Sequence, residues 1–242
     1  MEFHVYENAR AACEAAGVLI AAQITRKGDS VLGLATGSTP IPAYEMLAQW
    51  YDRGVIDFDR VRTFNLDEYV GINHKNPLSY HAFMQEHLFS KVNLRPENVH
   101  LPSGNGAADA EAYDKAIHDA GGIDIQLLGI GRNGHIGFNE PDDCFAKGTH
   151  CVELTESTIE ANKRFFASED EVPRRAYSMG IHTIMTAKKV LVAASGEDKA
   201  WAIRESCFGP VTPKVPGSIL QLHNDAIVIA DEAALSLCGD LL

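Results

Sequence analysis

Four polar side chains, among them a histidine and a carboxylate that could carry out acid–base chemistry, lie close together in one stretch of the chain, LLGIGRNGHIGFNEP at residues 127–141. They are Asn133, His135, Asn139 and Glu140. They directly follow an apolar run, residues 125–130, which is typical of a buried strand. Open α/β sheets bind ligands beyond the carboxyl ends of their strands, so this position favours an active-site loop. A histidine near a carboxylate is suited to proton transfer near neutral pH.

The glycines of the same stretch also match a dinucleotide-binding pattern. Gly129, Gly131 and Gly134 form GxGxxG directly after the predicted strand. That pattern needs an amphipathic helix to follow at once, because the helix N-terminus holds the pyrophosphate. Gly137 and Pro141 argue against such a helix here. We therefore predict no dinucleotide cofactor.

A second candidate site is the small, hydroxyl-rich loop that follows the predicted strand at residues 31–35. The loop residues are Thr36, Gly37, Ser38 and Thr39. Pro40 suits the first position of a helix predicted over residues 41–50. Free N–H groups and the positive end of the helix dipole bind anions at such a turn, which favours a phosphate cradle. The alternative is an ordinary N-cap by Ser38 or Thr39.

Two adjacent carboxylates, Asp67 and Glu68, follow the third predicted strand at residues 61–65. They are either a turn and a helix cap, or one of them is a base that faces the same crevice as His135. The residues leave both interpretations open. Lys199 lies in the first turn of a helix predicted after Gly196, where a cation is unfavourable unless it faces an anion.

Strands and helices alternate along the chain, which predicts a single α/β domain over residues 1–242 with a mostly parallel, Rossmann-like sheet and helices on both faces. Further strands are predicted at residues 177–180, 190–194 and 226–230, and a final helix is expected at the C-terminus. The polar segment 142–173 is only weakly periodic and follows the candidate loop. We interpret it as a mobile lid.

Composition excludes several classes of protein. The net charge of −12 over 242 residues disfavours nucleic-acid binding, since no basic stripe is present. The sequence shows neither a membrane-spanning run nor a signal peptide, and its five irregularly spaced cysteines suit a reducing cytoplasm. Cys144, His150 and Cys151 match no familiar zinc pattern, so no metal site is predicted.

Four segments together closely resemble the glucosamine-6-phosphate deaminases, a branch of the glucosamine/galactosamine-6-phosphate isomerase family. They are residues 32–40 (LGLATGSTP), 64–71 (FNLDEYVG), 129–141 and 161–166 (ANKRFF), in this order and spacing. The similarity covers essentially the whole chain. It implies a Rossmann-like fold shared with sugar-phosphate isomerases and lactonases. It also implies conversion of glucosamine 6-phosphate and water to fructose 6-phosphate and ammonia, without a redox cofactor or catalytic metal.

The resemblance also assigns roles to individual residues. It implies that Asp67 is the enolisation base, that His135 opens the sugar ring and that Glu140 supports this histidine. Asn133 stands where some members have Asp, and an amide cannot add charge stabilisation to the imidazolium. The phosphate contacts implied by the resemblance are the loop of residues 36–39, Arg164 and Lys199. Glu68 receives no role and is treated as structural.

Two other functions on the same fold are a 6-phosphogluconolactonase-like hydrolase and a non-catalytic sugar-phosphate sensor. A lactonase has no use for an enolisation base. A sensor would normally adjoin a DNA-binding module, and the sequence shows neither a helix-turn-helix extension nor a basic patch.

The resemblance does not extend to the regulatory site of activator-dependent members. Those members have basic residues at two positions occupied by His150 and Val152 in this chain. We therefore predict a monomer or low-order homo-oligomer with a hyperbolic dependence of rate on glucosamine 6-phosphate concentration, unaffected by N-acetylglucosamine 6-phosphate. Steady-state ammonia release with and without the N-acetylated compound checks this. A sigmoidal curve that becomes hyperbolic on its addition would contradict it.

Overall fold

The computed structural model describes residues 1–103, 106–154, 156, 159, 172–239 and 241. Its main feature is a seven-stranded sheet with helices around it, as predicted. Every neighbouring pair of strands in this sheet is parallel. The strands, numbered in chain order among all strands, are β1 (Glu2–Tyr6), β2 (Val31–Leu34), β3 (Arg62–Asn65), β5 (Val99–His100), β6 (Ile125–Leu128), β9 (Val190–Ala194) and β10 (Ala226–Asp231).

The order of strands across the sheet is β1-β10-β9-β6-β2-β3-β5. Its central strands β2, β6 and β9 are buried along their whole length, as is β10, because helices cover a parallel sheet on both faces. This burial explains why these strands appear in the sequence as continuous apolar runs. The helices are α1 (Ala9–Arg26), α2 (Ile41–Asp52), α3 (Tyr80–His87), α4 (Ala107–Asp119), α5 (Ile181–Met185) and α6 (Ala200–Phe208).

A second, three-stranded antiparallel sheet was not foreseen. It consists of β4 (Asp67–Tyr69), β8 (Arg175–Ser178) and β7 (His150–Glu153), with β8 in the middle. Asp67 and Glu68, for which a turn was one of the two interpretations, therefore begin a new strand. The start of the segment predicted as a lid also contains β7, and most of residues 155–171 lie outside the described chain.

Two local predictions were wrong. Residues 232–237 form turns where a final helix was expected. Helix α2 begins at Ile41, so Pro40 occupies its N-cap position rather than its first turn. Asn8 caps α1, since its side-chain oxygen accepts the N–H of Ala11 at 3.0 Å. Among the described residues, none of the helices is both long and apolar enough to cross a membrane.

Asp114 of α4 connects the main sheet's helical layer to the antiparallel sheet. Its carboxylate accepts the N–H and the hydroxyl of Thr149, each at 2.7 Å, and the hydroxyl of Thr183 at 3.1 Å. These contacts fix the chain just before β7 and the start of α5.

We predict that Asp114→Asn lowers the free energy of unfolding by about 1–3 kcal/mol, because an amide NH₂ would face donors that are now satisfied. Thermal unfolding measures the loss, and the exposed Glu111→Gln on the same helix is the matched control. The Michaelis parameters should be unchanged in both variants. A wild-type melting temperature for Asp114→Asn would contradict the proposed anchoring.

Candidate active site

The candidate residues that the structure describes lie at the carboxyl ends of four strands that are neighbours in the sheet, β3, β2, β6 and β9. After β2 the chain continues toward β3 and β5, whereas after β6 it continues toward β9 and β10. The gap between β2 and β6 is therefore a topological switch point, where open α/β sheets form their ligand crevice. The loops that follow these strands carry the predicted phosphate cradle and the predicted catalytic histidine.

The loop after β6 is closed by its own backbone. The N–H of Gly131 donates to the carbonyl of His135 at 2.9 Å, and Gly134, at a φ of +83°, donates to the carbonyl of Gly131 at 3.0 Å. The His135 ring consequently lies against Gly131, where an added Cβ would come within 2.2 Å of Cε1. Residues 135–141 contain no helix, so the dinucleotide pattern lacks the element that binds pyrophosphate.

Glu140 is shared between His135 and Asn133. Its Oε1 lies 3.2 Å from Nδ1 of His135, while Oε2 accepts a hydrogen bond of 2.6 Å from the Asn133 amide. Asn133 in turn accepts the backbone N–H of His135 at 3.2 Å. The imidazole–carboxylate contact has the distance of an ion pair but not the orientation of a hydrogen bond, since Nδ1 has no hydrogen-bond partner. Such contacts tighten when substrate binds.

Asp67 opens β4 and is almost completely buried, with 7% of its surface exposed. Within the described chain, no group donates a hydrogen bond to its carboxylate. Burial, with a smaller contribution from the charge of Glu68, raises the pKa of Asp67 to about 8. The carboxyl group therefore holds a proton far more strongly than an exposed Asp does.

Asp67 lies beside the loop that carries His135. A Cβ built on Gly137 would lie 4.0 Å from Oδ2 of Asp67. The hydroxyl of Ser178, which pairs with Asp67 across the antiparallel sheet, accepts the N–H of Phe138 at 3.0 Å. Asp67 and the loop that carries His135 are thus direct neighbours.

Asn139 holds this loop against the start of β4. Its amide donates to the carbonyls of Ile136 and Met179, both at 2.9 Å. Met179 in turn donates its N–H to the carbonyl of Leu66 at 2.7 Å, directly before Asp67. Asn139 is therefore a structural amide of the site.

Of the two adjacent carboxylates, Glu68 is the one that caps a helix. It accepts the backbone N–H groups of Tyr80 and His81 at the start of α3, at 3.0 and 2.9 Å. Asp67 has no such partner, so the cap and the candidate base are now distinguished.

The loop of residues 36–39 leads into α2 without a side-chain cap. Pro40 takes the N-cap position, so neither Ser38 nor Thr39 serves as the ordinary cap. Gly37 has a φ of +98°, and the space where its Cβ would stand is open to beyond 4 Å. A helix start without a side-chain cap, next to space for a ligand, is what an anion-binding turn requires.

The turn after β9 carries Lys199 to the N-cap position of α6. Gly196, which starts this turn at a φ of +88°, donates its N–H to the Asp231 carboxylate at 3.0 Å. Arg132 of the loop after β6 forms an ion pair of 2.8 Å with Asp198. The turns after β6 and β9 are thereby joined beside the crevice. Arg164 lies outside the described residues, and its phosphate contact stays a prediction.

A family model described as glucosamine-6-phosphate isomerases/6-phosphogluconolactonase matches residues 6–229. The chain belongs to this glucosamine-6-phosphate isomerase/6-phosphogluconolactonase family. Among similar relatives, the glucosamine-6-phosphate deaminase of Clostridioides difficile (strain 630) is 58% identical over 91% of this chain and 90% of its own length. That of Clostridium botulinum (strain Alaska E43 / Type E3) is 53% identical over 98% of this chain and 96% of its own length.

Solved structures of the family agree with the fold. A structure described as a monomeric glucosamine-6-phosphate deaminase superposes with a TM-score of 0.94 at 40% identity, covering 98% of this chain and all of the other. The 6-phosphogluconolactonase of Thermotoga maritima reaches a TM-score of 0.73 at 18% identity, covering 96% and 99% of the two chains. The second likeness supports the family fold alone.

Sequence reasoning missed several residues that shape this family site. Ser178 was assigned only to a strand, and its contact with the loop after β6 depends on the unforeseen antiparallel sheet. Gly131 was noted as part of a cofactor pattern, whereas its structural role is to leave room for the His135 ring. The run of glycines around one histidine was the available signal for that close packing.

We predict that Gly131→Ala reduces kcat at least tenfold with a small loss of stability, because the new methyl group displaces the His135 ring from Glu140. Gly129→Ala is the matched control, since an added Cβ there meets no atom within 4 Å. Steady-state kinetics and thermal unfolding of both variants measure the difference. Equal activity of the two would show that the ring position does not matter.

Proposed function

We propose that this chain is a glucosamine-6-phosphate deaminase that converts glucosamine 6-phosphate and water to fructose 6-phosphate and ammonia. The names of its relatives at 52–58% identity support the activity. The single observation that carries the residue assignment is the position of buried Asp67 beside the loop that holds His135. An isomerising deaminase needs a base at this point as well as an imidazole.

Ring opening is the role proposed for His135. The C1 hydroxyl must lose a proton and the ring oxygen must gain one, and an imidazole can do both near neutral pH. Glu140 offers one oxygen to the imidazole and is held through the other by Asn133. This arrangement orients the ring and stabilises its protonated form with one negative charge.

Proton transfer between C2 and C1 is the role proposed for Asp67. The open-chain aldehyde and the neighbouring ammonium group acidify the C2 hydrogen, so a carboxylate can remove it. Returning this proton to C1 leaves an iminium carbon at C2, which water attacks to release ammonia. A base with a pKa near 8 is stronger than an ordinary carboxylate and still partly ionised at neutral pH, which suits general base catalysis.

The phosphate group is assigned to Thr36, Gly37, Ser38, Thr39, Lys199 and Arg164. The uncapped start of α2 provides backbone N–H donors and the positive end of a helix dipole. Lys199 adds a positive charge from the turn after β9, which is separated from the turn after β2 by strand β6. In the segment 142–173, the part that follows β7 is proposed to close over the bound sugar phosphate.

The proposed location is the cytoplasm, and the proposed partner is the small-molecule substrate alone. All five cysteines are free thiols, which fits a reducing compartment. The monomeric state named for one similar structure supports a monomer or low-order homo-oligomer.

We predict that Asp67→Asn lowers the rate of ammonia release by about 10²–10⁴-fold, because an amide cannot accept the C2 proton. The assay follows ammonia and fructose 6-phosphate formed from glucosamine 6-phosphate, with Asp114→Asn as a control for general structural damage. Release of 6-phosphogluconate from its lactone, measured with the same two variants, distinguishes the lactonase alternative. A wild-type enzyme that hydrolyses the lactone but leaves the amino sugar unchanged would overturn the proposal.

A further inference from the structure

The buried carboxylate next to the proposed base has no role in the mechanism so far. Glu68 is only 2% exposed and directly follows Asp67 in β4. Burying a carboxylate is costly, and burying two in succession is more so because their charges repel. Such a pair indicates a use that a simple helix cap does not require.

Glu68 is held rigidly by three backbone donors. Its Oε1 accepts the N–H groups of Tyr69 at 2.9 Å and Tyr80 at 3.0 Å, and its Oε2 accepts that of His81 at 2.9 Å. Two of these donors lie at the positive end of the α3 dipole, where a carboxylate is stabilised. Burial raises the pKa of Glu68, and the three donors, together with His74, oppose that rise.

The alternation of side chains along β4 connects this anchor to the base. Successive side chains of a strand point to opposite faces, so the direction of Glu68 determines that of Asp67. Glu68 is directed at the start of α3, and Asp67 is directed toward Gly137 in the loop that carries His135. Moving the anchored carboxylate would therefore turn the base away from the crevice.

Glu68 also keeps a negative charge beside Asp67. The loop beside Asp67 carries His135 and Glu140. Among the described residues, four tyrosines also lie close enough to Asp67 for its charge to raise their pKa: Tyr44 on α2, Tyr69 on β4, Tyr80 on α3 and Tyr113 on α4. Burial raises the pKa of all four phenols, so they stay neutral throughout an assay between pH 6 and about 9.5. Glu68 is the acidic group whose charge acts on Asp67 most directly.

We propose that Glu68 is a positioning residue for Asp67, which it fixes in direction through its three bonds to the backbone and to the head of α3 while keeping a negative charge at its side. This inference rests on the proposed role of Asp67 as the enolisation base. It separates two effects, charge and direction, that two different substitutions can test.

Glu68→Gln removes the charge, and its amide oxygen can replace only one of the two carboxylate oxygens that accept backbone N–H groups. The pH midpoint, and not kcat, is therefore the measurement that tests the charge. Without the neighbouring anion, the midpoint of the acidic limb of kcat/KM should fall by roughly one pH unit, because Asp67 then loses its proton more easily. The substrate's own ionisations are the same for every variant, so the difference belongs to the protein. Carbon-13 NMR of the Asp67 carboxyl group follows the same shift without turnover.

Glu68→Asp tests the direction. It keeps the charge but withdraws the carboxylate by one methylene group from the donors of α3. The acidic limb should stay where it is, while kcat falls at least tenfold at unchanged KM, because the base is displaced and the phosphate site is not. This variant also tests the proposal if Glu68→Gln does not fold.

Asp114→Asn is the control, since its carboxylate also accepts three hydrogen bonds but does not act on Asp67. It should lower the melting temperature without moving the pH profile. If both Glu68 variants lower the melting temperature but change neither the pH profile nor kcat, Glu68 is only a helix cap and the inference is wrong. A wild-type enzyme without deaminase activity overturns the proposed function instead, and the NMR titration then still tests the effect of Glu68 on Asp67.

Discussion

The site depends on one topological constraint in an all-parallel sheet. Successive strands are added toward one edge after β2 and toward the opposite edge after β6, so the strand order reverses between β2 and β6. Parallel strands all end at the same edge, so the loops that follow them meet there. At the reversal, the two loops diverge to opposite sides and leave a crevice between them. The proposed anion-binding turn after β2 and the histidine loop after β6 border this crevice, and the loops after β3 and β9 extend it.

A second constraint is the cost of burying Asp67 without a hydrogen-bond donor. The surrounding structure must hold the carboxyl group in place, because the group itself contributes little to stability there. Asn139 and Ser178 join the histidine loop to the antiparallel sheet on one side of β4. Glu68 joins β4 to α3 on the other. The base is thus fixed by its neighbours, and its unusual proton affinity follows from the same burial.

Much of the main sheet could be predicted from the sequence because its strands are short, apolar and separated by glycine-rich turns. The strand at residues 190–194 has the predicted bounds, and the loop after β6 was recognised from the polar residues that follow an apolar run. The antiparallel sheet could not be predicted. Strand β4 has three residues, two of them charged, and its partner β8 lies far along the chain, so no local pattern marks the pairing.

The roles of neighbouring residues were the other part that sequence could not decide. Asp67 and Glu68 are both acidic, and only the alternation of a strand shows that one faces α3 and the other faces the histidine loop. Likewise, Glu140 contacts both His135 and Asn133 only because two tight turns fold the loop. The described residues implied by the resemblance lie at one sheet edge because the turns that carry them follow neighbouring strands.

The central claim is that a base, an imidazole and an anion-binding turn from distant parts of the chain surround one hexose phosphate. A crystal structure with the open-chain analogue 2-amino-2-deoxyglucitol 6-phosphate tests it most directly. The account predicts the phosphate on the loop of residues 36–39, C2 within about 3–3.5 Å of an Asp67 oxygen, and the C5 hydroxyl in reach of His135. A phosphate bound elsewhere, or a sugar chain that approaches only one of these two side chains, would contradict it.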